Sequence, residues 1–209
     1  MGAYELNMTA IGILAYGSLI DDPGVEIEPL IISRIRDVDT PFSIEFARSS
    51  STRDGAPTVI PVHDGGSPVK AQILVLSKEL ELEQAEDLLW RRETRNEETD
   101  KHYSRPVSQS PNRMLVDKIE HWHDLEYVIY TQLGSNIVDL SAEKLADLAI
   151  QSAKGCAGNN FKDGISYLIS IKKQGIVTSL SSDYEQEILK KTKSVSLEDA
   201  YVRARYASK

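Results

Sequence analysis

Two kinds of hydrophobic spacing divide this chain, and their order limits the folds open to it. Up to Leu133 most of the clear apolar runs are short and strand-like, and they end in Gly, Pro, Asp or Ser. From Ser141 on, apolar residues recur at helical spacing. Strands first and helices later predict an α+β domain. Its expected form is a small, curved or closed mixed or antiparallel β-barrel, with helices packed outside and a helical C-terminal tail.

The first run, Ile11-Gly12-Ile13-Leu14-Ala15, has the composition of a buried strand. It leads into Tyr16-Gly17-Ser18-Leu19-Ile20 and then Asp21-Asp22-Pro23-Gly24, which is turn chemistry. Gly17 lets the backbone bend or approach a ligand closely. A strand that runs into a Gly-Ser turn exposes successive N–H groups, the makings of an anion-binding nest. A core strand ending in an ordinary turn accounts for the same residues. Residues 1–9 look like a tail, and residues 25–36 fit a short helix or an irregular segment. Residues 42–48 alternate like a half-buried strand, 56–62 are β-rich but bounded by prolines, and 69–76 alternate again. The short turns between these three predict an antiparallel meander. A helix is expected from Ser77, with Leu82, Ala85, Leu88 and Leu89 on one face, running on through Trp90, Arg91, Arg92 and Glu93. Residues 125–133 form the last clear strand. Ser141 is expected to cap a helix ended by Gly155 and Gly158, followed by helices over 163–174, from Ser182 or Asp183, and over 197–206.

A chain of 209 residues with 41% hydrophobic and 27% charged residues fits one globular domain with a sizeable core. A net charge of −8 gives no electrostatic basis for binding nucleic acid or an anionic membrane, and it leaves room for a small anionic substrate at a local nest. The single cysteine, Cys156, has no internal partner, which points to a reducing compartment. The N-terminal apolar run is too short for a span and lacks the basic flank of a signal peptide, so a cytoplasmic protein is expected.

Among chemistry-bearing residues, His121-Trp122-His123 resembles a metal pair. A third ligand would have to come from His63, His102 or a carboxylate, and no ligand spacing links them. Surface histidines before a strand explain them better. Ser18 lies outside any Gly-x-Ser-x-Gly elbow, Cys156 fits a buried structural thiol, and Asp21-Asp22 fits a turn. Glu93 closes the amphipathic helix. An inward-facing carboxylate there would serve as a general base, whereas a solvated one would pair with Arg91, Arg92 or Arg95.

Taken in order, these pieces resemble the γ-glutamylcyclotransferase-like family. Tyr16-Gly17-Ser18-Leu19 is similar to the family's Tyr-Gly-Ser-(Asn or Leu) signature at the end of the first strand. Phe46, Gly55-Ala56-Pro57-Thr58-Val59-Ile60-Pro61, Gly65 or Gly66, and Val69 continue the match, which covers roughly residues 11–133. The C-terminal helices match loosely. The chain departs from the family in a charged stretch between Glu93 and Tyr103, where relatives often carry glycine, and in residues 141–158, which have no counterpart in small members. The resemblance implies an enzyme that cyclises a γ-glutamyl group to 5-oxoproline with release of an amine, without metal or cofactor. It implies Glu93 as acid/base, and Tyr16, Gly17, Ser18, Leu19, Ile20 and Tyr103 as substrate-binding residues. A non-catalytic domain of the same fold, binding a small ligand or a partner, is the alternative.

Overall fold

The computed structural model describes residues 10–107 and 110–206; the expected N-terminal tail lies outside them. The chain forms two compact units, residues up to 38 with 71–133, and residues 39–70 with 134 onward. Each unit is assembled from separated stretches of sequence.

The first unit is built on a five-stranded mixed sheet. Its central strand β1 (Ile11–Ala15) is buried along its whole length. β1 pairs antiparallel with β5 (Lys70–Leu76) and parallel with β7 (Leu125–Gln132). β7 pairs antiparallel with β6 (Leu115–Trp122), and β2 (Ile31–Asp39) flanks β5, giving the order β2-β5-β1-β7-β6. Among the described residues no sheet closes on itself as a barrel; β2 and β6 are edges. The period of two puts Ile11, Ile13 and Ala15 on one face with Leu74, Leu76 and Ile129. Ala85, Leu88 and Leu89 of helix α2 (Leu82–Thr94) join them in one core. On the opposite face a Cβ at Gly12 would fall 2.4 Å from Ile73 Cγ2 and 2.8 Å from Leu125 Cδ1, so a side chain there would force those two to shift.

The second unit pairs β3 (Ser43–Ser50) with β4 (Ala56–Val62) as an antiparallel hairpin. Helices α3 (Ala142–Lys154) and α5 (Gly164–Lys173) pack on β4. The short α4 (Cys156–Asn159) lies between α3 and α5 in the chain, and α6 (Ser181–Thr192) and α7 (Leu197–Tyr206) complete the helical layer. Phe46 of β3 is fully buried and meets Tyr184 of α6 edge-on at 5.2 Å between ring centroids. Beside it Glu45 is buried too. Its carboxyl oxygens accept from Thr178 Oγ1 at 2.5 Å, Leu180 N at 3.1 Å and Phe46 N at 2.9 Å, so a hydrogen-bonded acidic side chain anchors the start of α6.

Several expectations need correcting. The three-strand meander is a two-strand hairpin: β5 leaves β4 and pairs with β1, where both its faces find apolar neighbours. Residues 25–36 are a 3₁₀ turn at Glu28–Leu30 followed by β2. α2 starts later than Ser77, because Glu81 and Gln84 form a reciprocal capping box. α6 begins at Ser181 with Leu180 in the N-cap position and no side-chain cap, so neither Ser182 nor Asp183 caps it. Ser141 does cap α3, accepting from Lys144 N at 3.2 Å. β6 escaped notice because charges interrupt its apolar residues, as suits an edge strand.

Candidate active site at the end of the first strand

β1 ends in Gly17, whose φ of 65° is a backbone conformation open chiefly to glycine. The chain turns there into the four-residue helix α1 (Ser18–Asp21). Leu19 points into the core shared with α2, and Ile20 packs against it. Tyr16 donates from its hydroxyl to Thr131 O near the end of β7, 3.3 Å away. Arg34 of β2 donates to Ile20 O at 3.0 Å. Asp22 N donates to Ser18 O at 2.9 Å. With Gly17 O and Ser18 O accepting within the turn and Ile20 O held by Arg34, the turn keeps three consecutive N–H groups, of Gly17, Ser18 and Leu19, without a hydrogen bond among the described residues. Ile20 departs from expectation: its N–H donates to Gly17 O at 3.2 Å and is not available to a ligand.

Three contacts tie the end of α2 to the segment following this turn. Arg92 donates through Nη2 to Asp22 O and through Nη1 to the Glu93 carboxylate. Arg91 grips the Glu26 carboxylate with Nε–Oε2 at 2.9 Å and Nη2–Oε1 at 3.0 Å, a two-point geometry in a pair whose side chains are 11% and 18% exposed. That bond pushes the Arg91 guanidinium above its ordinary pKa, so it stays charged. Glu97 accepts Val25 N–H at 2.9 Å. The C-terminal turn of α2 is thereby fixed against residues 22–26, immediately beyond α1. Glu93 sits on that turn with its side chain 22% exposed.

Glu93 is therefore the Arg92-paired carboxylate that one sequence-based alternative described, but it is largely shielded rather than solvated. Tyr103 is close to α2, its N–H donating to Asp87 Oδ1 at 2.5 Å. Its hydroxyl accepts from Val116 N at 3.0 Å and lies 3.4 Å from Val116 O, which makes it a pin on β6 rather than a free hydroxyl. The structure thus brings Tyr16, Gly17, Ser18, Leu19, Ile20 and α2 into one unit, and it commits Tyr103's hydroxyl to the backbone.

Sequence reasoning missed Arg34, which holds the carbonyl of Ile20, and named Arg92 only among three partners for Glu93, not as a donor to Asp22 O; neither belongs to a motif. Glu86 differs from the other acids of α2 in its surroundings. Glu86 is half-buried, and burial raises its pKa against the lowering charges of Lys118 and Arg105, with Glu83 and Asp87 adding smaller upward pushes.

The other candidates fall away from this region. His123 and Asp124 are the two loop residues of the β6–β7 hairpin, with φ of 54° and 59° between the paired Trp122 and Leu125. His121 and His123 are exposed, and among the described residues no group of three or more His, Cys, Asp or Glu could hold a metal ion. Cys156 is exposed at the start of α4, not buried. No helix among the described residues is long and apolar enough to cross a membrane.

Compared with known proteins, the chain matches no family model and no curated protein sequence.

Proposed function

We propose that this protein is a γ-glutamylcyclotransferase-type enzyme, with Glu93 as general acid/base and the turn at residues 16–20 as its anion-binding element. The observation that carries this is the joining of two distant sequence features. Glu93 and the turn lie more than seventy residues apart in sequence, yet Arg92 bonds both the Glu93 carboxylate and the carbonyl of Asp22, the residue that closes α1.

The reaction needs little beyond placement. The α-amine and the γ-amide carbonyl already belong to one molecule, so holding the folded-back conformer supplies much of the acceleration. Glu93 takes a proton from the substrate ammonium. The freed amine attacks the γ-carbonyl carbon, forming the ring C–N bond. The N–H groups of Gly17, Ser18 and Leu19 face negative charge on the oxyanion or on the substrate carboxylate. The bond to the leaving nitrogen breaks as that nitrogen takes the proton from Glu93, and the ring nitrogen gives up its second proton to the vacated carboxylate, giving 5-oxoproline and a free amine. A small-molecule γ-glutamyl compound is the substrate, a cytoplasmic location suits it, and nothing in the cycle calls for a metal or cofactor. A barrel-like closure of the sheet around the turn would complete the family's architecture.

The decisive assay offers glutathione, a γ-glutamyl amino acid and a γ-glutamylamine to the protein and measures 5-oxoproline. Release from at least one is expected; none from any sinks the proposal. The ion pair between Arg92 and Glu93 favours the second reading, a non-catalytic domain that binds a small ligand or a partner, because it gives the carboxylate a partner within the protein. Binding of 5-oxoproline without turnover of any γ-glutamyl compound would establish that alternative.

A further inference from the structure

We infer that Arg92 is a positioning residue for Glu93, setting the place of the carboxylate against the turn at residues 16–20; this rests on the enzymatic reading above. Arg91 and Arg92 are adjacent, but successive residues on a helix point in different directions. Arg91 takes Glu26 and donates to Lys101 O at 3.1 Å, which fixes the helix end to loops on either side. Arg92 takes Glu93 and Asp22 O. Its side chain is only 11% exposed, so the guanidinium is a shielded, planar fork with two acceptors of different origin. One acceptor is the reacting acid. The other is the backbone of Asp22, whose own N–H closes α1 by donating to Ser18 O at 2.9 Å. A continuous set of bonds thus runs from the Glu93 carboxylate through the Arg92 guanidinium to the turn. A lysine, with one nitrogen centre in place of the fork, cannot reproduce this spacing. Arg92 takes no proton in the cycle, because a guanidinium stays charged.

The test compares Arg92→Gln and Arg92→Lys with the parent. A base displaced by about 1 Å costs on the order of 10²-fold in rate, so kcat for 5-oxoproline release is expected to fall by about that factor in Arg92→Gln, with KM changing far less. Arg92→Lys should recover part of the loss, and methylguanidine added to Arg92→Ala should restore part of its rate. These are responses that a purely structural arginine would not give. A folded Arg92→Gln with parental kcat overturns the inference. Should Arg92→Gln fail to fold, Arg92→Lys carries the same comparison. Crystal structures of the parent and Arg92→Lys provide a readout independent of turnover. A Glu93 carboxylate in the same place in both overturns the inference even if the parent is active. A parent that releases no 5-oxoproline, with Glu93 displaced in the variant, overturns the enzymatic reading alone.

Discussion

Glu86 and Glu93 lie two turns apart on one helix, and their surroundings separate them. Glu93 has an arginine as its immediate partner. Glu86 has mainly burial, which raises its pKa from the ordinary 4.5. A carboxyl whose folded pKa is raised favours the folded state while protonated; that contribution is lost as pH rises through the folded value. The stability of the parent relative to Glu86→Gln should therefore decline between about pH 3 and about pH 7. Urea unfolding at the two pH values checks this, and a difference that is flat or grows with pH contradicts it. Glu93→Gln keeps size and hydrogen-bonding capacity but cannot take the ammonium proton. It should lower 5-oxoproline release by about 10²–10⁴-fold while the protein stays folded. Of the rivals, Glu97 is spent on Val25 N–H and Glu98 is exposed on left-handed backbone. Glu97→Gln should retain most activity, and full activity in Glu93→Gln would show that the wrong carboxylate was chosen. At this scale the sequence marked Glu93 and the glycine-serine turn. It did not mark Arg34, nor Arg92 as a link to Asp22, because a lone arginine carries no pattern until the fold gives it acceptors.

β1 illustrates what an element's own composition can and cannot tell. Its five residues are a continuous apolar run, and both faces are buried as such a run predicts. Gly12 breaks the run for a reason visible only across the sheet: Ile73 and Leu125 occupy the space a side chain would need. Gly12→Ala should destabilise the protein by about 1–3 kcal/mol through overpacking, measured as a lower urea midpoint with an unchanged m-value. No loss of stability would mean that those two side chains move aside freely. Helices were legible where apolar spacing was regular. α7 spans Leu197–Tyr206 as expected, and α3 begins after its expected serine cap. Edge strands were not. β2 includes Asp37 at a φ of 58°, and β6 sets pairs of polar residues, Asp117-Lys118 and Glu120-His121, between its apolar ones, so neither shows the clean period that a half-buried strand would.

The chain passes between its two units at residues 38–39, 70–71 and 133–134, so neither unit is one contiguous piece. A chain cut after Leu133 would keep the β3–β4 hairpin without α3, α5 and α6. Buried Phe46, Val59 and Ile60 would be uncovered, and Glu45 would lose Thr178 and Leu180. A lone hairpin is marginal in water. Hydrogen exchange on that truncated chain should show residues 43–62 unprotected, or the protein should aggregate. Native-like protection there would show that the helices are dispensable. In the full chain, Glu45→Ala should cost about 1–3 kcal/mol by leaving buried donors unsatisfied, read by chemical unfolding. By itself the sequence determined the α+β class, the buried first strand, the turn after it and most helices, because hydrophobic period and turn residues act over a few neighbours. Only the tertiary structure decided that β5 joins β1 rather than β4, that Glu45 is buried, and that Arg92 links Glu93 to the turn. Those outcomes depend on which distant groups compete to bury apolar surface and to satisfy polar atoms, and no local spacing records the winner.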